Sequence, residues 1–110
     1  MSKKRFKHRR LPICKKFDSA NTSKQYQKVI EEFCEFVGAY ANASRKADLE
    51  QGERNHFKDI MLEAFDLSQV VQQFIHIAIK NHGKYYNISE DDVYTEGINK
   101  NAIRGYYEDI

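Results

Sequence analysis

The sequence predicts an all-α fold, a bundle of three to four helices, and two observations carry this prediction. Apolar side chains recur in steps of three and four residues along two long stretches, which is the period of an amphipathic helix. The chain of 110 residues contains only one Pro and five Gly, so few residues interrupt helices. A chain of this length forms one domain with a modest core, which we expect oligomerisation to complete.

The first predicted helix runs from about Ser23 to Ala43. Polar residues that can cap its first turn precede it, at Ser19, Asn21 and Thr22. We expect its apolar stripe to form the face that packs on the core, with Glu32 and Glu35 at the border of that face. The stripe consists of Tyr26, Val29, Ile30, Phe33, Val37 and Tyr40.

Residues 44–55 are polar and form a connector, with Gly52 as the predicted break and room for a short fourth helix in 44–52. The second helix begins at Phe57 and ends near 81–83, where Asn and Gly are typical of a helix stop. Its apolar surface is broadest over 70–79, which predicts a central helix or one buried at a subunit interface.

The third helix begins after Ser89, a predicted N-cap that is followed by acidic residues in the first turn. It runs to about Ile103, and Gly105 is its predicted terminator. The remaining sequence shows no internal repeat. These elements place the helical domain in residues 21–110.

Charge divides the chain into a basic arm at 1–20 and an acidic body. Residues 1–16 hold eight Lys or Arg side chains and no acid, whereas the rest holds ten basic against 16 acidic side chains, a net charge of −6. Basic tails of this kind bind nucleic acid without sequence preference, so we expect weak contact with nucleic acid through 1–16. A solvated arm is the alternative interpretation.

Two further classes are disfavoured. No apolar run approaches the ~20 residues that a membrane span needs, and the N-terminus lacks the apolar stretch of a signal peptide. Cys14 and Cys34 form no CxxC pair and suggest no disulfide framework. We therefore expect a reduced, cytoplasmic protein without a membrane partner.

Two carboxylate pairs carry the functional prediction. Glu32 and Glu35 lie in EEFCE (31–35), and Glu63 and Asp66 lie in LEAFD (62–66). Residues three apart on a helix share a face, so each pair can present two oxygen ligands to one small volume. If the two helices face each other, four carboxylates converge, which is costly unless divalent cations neutralise them.

The order of these motifs resembles that of the MazG-like, all-α nucleoside triphosphate pyrophosphohydrolases. EEFCE and EAFD, with 27 residues between them, are similar to the ExxE and ExxD motifs of that superfamily. Residues 99–107 (NKNAIRGYY) are similar to the Lys-xxx-Arg-Gly-Tyr ending of its small members. The resemblance covers roughly residues 24–107, and the connector is near the long end for the family.

The resemblance implies a Mg²⁺-dependent hydrolase acting on acid anhydrides, which converts a (d)NTP to (d)NMP and pyrophosphate. It implies that Mg²⁺ is held by Glu32, Glu35, Glu63 and Asp66. Glu35 and Glu63 would be catalytic, with Glu35 orienting the attacking water. Lys100 and Arg104, four apart on one helix face, would neutralise substrate phosphates, although both also suit a helix C-terminus. Tyr106 would stack on the base; plain packing is its alternative.

The resemblance also implies a homodimer or homotetramer, because three or four helices do not easily enclose a nucleotide. Two alternatives stay open. The chain could be a non-enzymatic helical module that binds nucleic acid through its basic arm. Glu53 and His56 have the ExxH spacing of ferritin-like di-iron bundles, but those proteins need the motif twice and it occurs once here.

Overall fold

The computed structural model describes residues 11–15, 21–46 and 54–107, and the second and third ranges are helical apart from short connections. The helices are α1 (Thr22–Lys46), α2 (Arg54–Ala78), the short α3 (Lys84–Tyr86) and α4 (Glu90–Ile103), and a π-helical turn (Ile79–Gly83) joins α2 to α3. No strand occurs in the described ranges, so the predicted all-α class is confirmed. None of the helices described is long and apolar enough to cross a membrane.

The two long helices, α1 and α2, pack antiparallel. The start of α1 lies at the end of α2, where Asn81 Nδ2 donates to Thr22 Oγ1 at 3.3 Å. Further along, Gln25 Nε2 donates to the Val70 carbonyl at 3.4 Å, and the ring centroids of Tyr26 and Phe74 lie 6.4 Å apart. These contacts pair the start of α1 with the end of α2.

The contact between α1 and α2 is a narrow seam. On each helix its members recur in steps of three and four, which keeps them on one side. The seam consists of Thr22, Gln25, Val29, Glu32, Phe36 and Ala39 on α1 and of Ile60, Glu63, Leu67, Val70, Phe74 and Ile77 on α2, all buried or half-buried. Polar side chains thus occupy four of the twelve seam positions, Thr22, Gln25, Glu32 and Glu63.

The predicted core face of α1 is therefore wrong for the single chain. Of its six apolar residues, only Val29 lies in the seam, and the other five are exposed. Each of those five directly follows a seam residue in the sequence. The seam therefore runs alongside the apolar stripe and includes Glu32. The connector prediction changes too, because α1 extends through residues 44–46, while 47–53, with Gly52, lie outside the described residues.

Of the two alternatives predicted for 70–79, the structure supports the central helix and not the subunit interface. Most of that segment is buried or half-buried within the chain, and Val71, at 40% exposure, is its only exposed large apolar side chain. It is covered by α1 on one side and by residues 11–14 on another. Large exposed apolar side chains lie instead between Tyr26 and Tyr40 and between Phe57 and Phe65.

Residues 11–14 are held on α2 by three glutamines that hydrogen-bond only to backbone atoms. The Gln72 amide accepts from the Leu11 N–H at 2.6 Å and donates to the Leu11 carbonyl. The Gln73 amide does the same for Cys14, at 2.9 and 3.3 Å, and Gln69 Nε2 donates to the Pro12 carbonyl at 2.6 Å.

These glutamines satisfy a physical requirement that the apolar pattern of α2 does not reveal. Gln72 and Gln73 are buried, and buried amides are costly unless their donors and acceptors are paired. The signal in the sequence is QVVQQ (69–73), a set of polar residues inside the broadest apolar stretch. We call residues 11–14 with the three glutamines the glutamine clamp. The rest of the predicted arm, 1–10 and 16–20, lies outside the described residues.

Removing the clamp amides should release Cys14. In a Gln72→Ala/Gln73→Ala variant the segment loses four hydrogen bonds of roughly 1 kcal/mol each, so we expect Cys14 alkylation to accelerate at least about tenfold. Cys34 is exposed and serves as the internal reference for the reagent. Gln27→Ala, at an exposed position of α1, is the matched control. Equal Cys14 rates in the clamp variant and the control would contradict the clamp.

Gly83 does not stop the helical path after α2. The path changes to a π-helical turn at Ile79 and continues to Tyr86, and Asn87 ends it with a left-handed φ of 56°. Gly83 has an ordinary helical φ of −59° and is buried. It is needed for close approach, because a Cβ there would lie 2.5 Å from the Ile88 carbonyl oxygen.

Gly83→Ala should therefore destabilise the protein by about 1–3 kcal/mol, the usual cost of overpacking. The clashing atom belongs to the backbone, so a side-chain rotation cannot relieve it. Gly38→Ala is the control: nothing lies within 4 Å of a Cβ at this exposed position of α1, and Ala is the better helix former by about 1 kcal/mol. Urea denaturation should show opposite signs for the two variants, and equal effects would contradict the close approach.

The bounds of α4 confirm the predictions for the third helix. Ser89 forms a capping box with Asp92: the Ser89 hydroxyl accepts from the Asp92 N–H, and the Asp92 carboxylate accepts from the Ser89 N–H. The hydrogen bond from the Ser89 N–H lowers the pKa of Asp92, and the Ser89 side chain lowers it further. Gly105 follows the last turn with a φ of 75°. Glu90 joins α4 to α2 through His76, whose Nδ1 lies 2.5 Å from a Glu90 carboxylate oxygen.

Candidate metal centre

Three carboxylates from α1 and α2 meet near the middle of the seam. Glu32 takes the seam position between Val29 and Phe36, and Glu63 takes the opposite one on α2. One oxygen each of Glu32, Glu63 and Asp66 lie within 4.8 Å of one another. Glu32 and Glu63 are half-buried and Asp66 is exposed, so the cluster opens to solvent at Asp66. The structure thus brings together three of the four carboxylates of the predicted pairs.

Glu35 lies at the edge of this cluster. Its side chain hydrogen-bonds to that of Glu32, and it is exposed. It is not one of the three residues whose oxygens converge within 4.8 Å. The predicted four-carboxylate set is therefore a convergent trio with Glu35 attached to it through Glu32.

The electrostatics of the cluster are focused on Glu32. Burial in the seam is the largest cause that raises the pKa of Glu32 above its ordinary value, because a charge there is poorly hydrated. Repulsion by Glu35 and the hydrogen bond to it raise the pKa further, and Asp66 and Glu63 add smaller repulsions. Glu32 therefore takes up a proton more readily than an ordinary glutamate does.

Two oxygens of the cluster lack any hydrogen-bond partner among the described residues. Oε2 of Glu32 and Oε2 of Glu63 are both fully shielded from solvent. A buried carboxylate oxygen that accepts no hydrogen bond lowers the stability of the fold. Where native proteins contain such an atom, an ion, a water molecule or a functional role accounts for it. One of these atoms comes from the seam residue of α1 and the other from the seam residue of α2.

The donor set fits Mg²⁺. This ion prefers carboxylate oxygens at about 2.0–2.1 Å in octahedral geometry, which places neighbouring ligand oxygens about 2.9 Å apart and opposite ones about 4.1 Å apart. The three oxygens lie within 4.8 Å of one another, so pairs at that limit need to approach by about 2 Å to become neighbouring ligands of one ion. Exposure at Asp66 leaves room for the waters and substrate oxygens that usually complete a Mg²⁺ shell.

The predicted substrate-binding residues lie elsewhere in the chain. Lys100 lines a groove of about 470 Å³ on α4, together with Asn87, Ile88, Asp92 and Glu96. Arg104 caps the C-terminal end of α4, and Tyr106 is 67% exposed beyond it. Among the described residues, no hydrogen bond or ion pair joins any of the three to the carboxylate trio, and α4 meets α2 near His76.

Comparison of the chain with protein-family models, with curated proteins and with solved structures found no match.

Proposed function

We propose that the protein is a Mg²⁺-dependent nucleoside triphosphate pyrophosphohydrolase of the MazG-like type. The observation that carries this proposal is the pair of shielded, unpartnered oxygens of Glu32 and Glu63 inside a trio of converging carboxylates. Two carboxylates in a helix seam and a third beside them do not serve packing, and a divalent cation would neutralise them. The reaction class comes from the resemblance of the motif order.

Each carboxylate has a role in this proposal. Glu32, Glu63 and Asp66 hold Mg²⁺, which would polarise the substrate phosphate and facilitate attack by water. Glu35, exposed beside Glu32, orients the attacking water and accepts its proton. The new bond forms between the water oxygen and the α-phosphorus, and the bond to the bridging oxygen breaks. Pyrophosphate leaves, and the nucleoside monophosphate remains.

Lys100, Arg104 and Tyr106 belong to the proposal as residues that bind the phosphates and the base. Because α4 of the same chain does not bring them to the trio, a substrate must span from the trio to α4 or contact these residues on a second copy. A homodimer or homotetramer acting on cytoplasmic nucleotides is part of the proposal.

The test is pyrophosphate release from a panel of NTPs and dNTPs, with Mg²⁺ and with EDTA. Wild-type protein should release pyrophosphate from at least one nucleotide in Mg²⁺ only, and Glu35→Ala and Glu63→Ala should be impaired. No turnover of any nucleotide, or full activity in both variants, would contradict the proposed function. Glu31→Ala, exposed and next to Glu32, is the matched control for loss of a carboxylate on α1.

A second candidate is a nucleic-acid-binding module. The glutamine clamp favours it, because it fixes the place on α2 from which the basic arm departs. RNA and DNA binding would be measured against salt for wild type and for a variant with Ala at the six basic residues of the first ten. Each lost phosphate contact should reduce the slope of log K against log salt by about 0.7–0.9. An unchanged slope would exclude the basic arm as the nucleic-acid-binding site. The six residues are Lys3, Lys4, Arg5, Lys7, Arg9 and Arg10.

A further inference from the structure

Cationic side chains gather at one end of the pair formed by α1 and α2. Residues 22–30, which begin α1, contain no acid, and neither do residues 67–89, which end α2 and lead to α4. We call these two ranges the basic end. Their four Lys against no acid give a charge of +4, whereas residues 17–110 as a whole carry −6. The four side chains, all exposed, are Lys24, Lys28, Lys80 and Lys84.

The two ranges of the basic end lie side by side, because α1 and α2 are antiparallel. Asn81 Nδ2 donates to Thr22 Oγ1 at 3.3 Å, and Gln25 Nε2 donates to the Val70 carbonyl at 3.4 Å. The positive charges of both ranges therefore add in one region. Such a region attracts an anionic partner, and salt weakens the attraction.

The basic arm is attached to the described structure close to this region. Leu11 is held by Gln72, which precedes Lys80 by eight residues, or about 12 Å along a helix. The six Lys and Arg side chains of residues 1–10 therefore belong to a segment whose point of attachment lies beside the basic end.

An apolar cavity of about 410 Å³ opens at the basic end. The described residues that line it include no acid, and they are Ala78, Ile79, His82, Gly83, Tyr86 and Ile88. The first two are half-buried and Gly83 is buried, whereas His82 and Tyr86 are exposed at its edge. Cavities of roughly 300–1,000 Å³ with an apolar lining and a few polar groups are typical of ligand sites.

The π-helical turn that joins α2 to α3 forms part of this cavity. The turn covers Ile79–Gly83, and the missing side chain of Gly83 lets the Ile88 carbonyl come close to it. Turns of this kind are rare and occur frequently at functional sites. The local backbone thus brings Ile79 and Ile88 to the lining of one cavity.

Two tyrosines beside the cavity are largely in water. Tyr86 is 65% exposed and Tyr85 is 86% exposed. Their ring centroids lie 4.8 Å apart with an angle of 82° between the ring planes, so the rings meet edge to face and at least one ring face stays uncovered. Uncovered aromatic faces are the surfaces on which unpaired nucleic-acid bases stack.

The acids of α4 are separated from the cavity by Ile88. This residue is the only one that lines both the cavity and the groove on α4, and the groove contains Asp92 and Glu96. A polyanion at the cavity therefore meets cationic side chains on the side of α1 and α2 and acidic ones only beyond Ile88.

We propose that the basic end binds a single strand of RNA or DNA. One unpaired base enters the apolar cavity and stacks on Tyr86, and Lys80 and Lys84 contact the phosphates. A duplex fits less well, because its bases are stacked on one another and are not available to the cavity. The basic arm adds charge but has no cavity of this kind to offer a base, so the site goes beyond the arm binding considered above.

Fluorescence anisotropy with labelled oligo-U and oligo-dT of about twelve nucleotides tests the base contact. Wild-type protein should bind both strands, and a duplex of the same length more weakly. Tyr86→Ala should weaken single-strand binding about tenfold without changing its salt dependence, because stacking releases no counterions. Tyr86→Phe keeps the ring and should keep the affinity. Tyr40→Ala, 48% exposed on α1 and outside the basic end, is the matched control.

The phosphate contacts have a different signature. Lys80→Ala/Lys84→Ala should reduce the slope of log K against log salt by about 1.4, which is about 0.7 for each lost contact to a single strand. Lys58→Ala, exposed on α2 but outside the basic end, should leave the slope unchanged. An unchanged slope in the double variant would contradict the assignment of these lysines.

A wild-type chain that binds neither strand at low salt would overturn the proposal. Wild-type affinity in Tyr86→Ala would also overturn it, even if strands still bind through the basic arm. The tenfold effect of Tyr86→Ala should therefore persist when the six basic residues of the arm are Ala. Binding to vesicles of anionic lipid without binding to either strand would assign the basic end to a membrane surface instead.

The site does not rest on the proposed enzyme activity, so the two can fail separately. Tyr86→Ala should release pyrophosphate at the wild-type rate, because the cavity lies outside the carboxylate trio. Strand binding without turnover of any nucleotide would leave this site standing and remove the proposed function. Turnover without strand binding would do the reverse.

Discussion

Glu63→Gln should reduce Mg²⁺-dependent turnover at least about a hundredfold while leaving helical content unchanged. The amide keeps the size of the side chain but removes one of the three anionic ligands, and even residues one shell further out usually change metal affinity or activity by about 10–100-fold. Because the seam position of Glu63 is half-buried, water does not easily replace the lost oxygen.

The matched control is Asp59→Asn, one turn before Glu63 on α2, where the side chain is exposed and outside the trio. It should retain wild-type turnover. Calorimetry with Mg²⁺ provides a second measurement that needs no substrate: Glu63→Gln should lose the binding signal and Asp59→Asn should keep it. Equal behaviour of the two variants in both measurements would show that the trio is an ordinary acidic surface.

Glu32→Gln should have opposite effects on thermal stability without and with Mg²⁺. Because the pKa of Glu32 is raised in the folded state, the folded protein holds more protons than the unfolded chain between the ordinary pKa and the raised one. Stability without metal therefore falls as the pH rises through that window, and the whole loss is present above it. Gln cannot ionise, so in EDTA above the window the variant should melt higher than wild type, by about 4 °C for each kcal/mol recovered.

Mg²⁺ should reverse this order. A ligand at a hundred times its dissociation constant stabilises the folded state by about 2.7 kcal/mol, which wild type gains and Glu32→Gln largely does not. Glu31→Gln, exposed at the neighbouring position, should respond to Mg²⁺ as wild type does. Melting is compared at one protein concentration, since a dimer melts in a concentration-dependent way. A variant that melts lower in EDTA, or that keeps the full Mg²⁺ response, would contradict the cation site.

Local signals predicted the elements well. Ser89 with the acidic turn after it, and Gly105 beyond the last turn, marked both ends of α4 because capping chemistry is contained in a few neighbouring residues. Asn21 likewise caps α1, accepting from the Lys24 N–H at 2.8 Å. The spacing of three within each carboxylate pair predicted that each pair would share a helix face, and this too is a local property.

The partner of each face could not be predicted from period alone. In α1 two stripes of the same period lie side by side, and the one with Glu32 and Gln25 faces α2 while the more apolar one does not. The hydrophobicity of a stripe indicates that the stripe is buried, but it does not identify the helix or the partner chain that buries it. The pairing of His76 with Glu90 was not predicted for the same reason. It joins two helices, and the spacing of residues within one helix does not determine how that helix packs on another.

The glutamine clamp has a consequence for how residues 11–14 can vary. It holds only amide and carbonyl groups of the backbone, so it places little demand on side-chain identity, and Pro12 is tolerated because its nitrogen is not used. Proline at 11 or 14 would instead remove a donor that the clamp needs. The distance between the two clamped residues is fixed by adjacent glutamines on one helix. Substitutions in this segment are therefore permitted, whereas a single insertion or deletion between Leu11 and Cys14 would break the register.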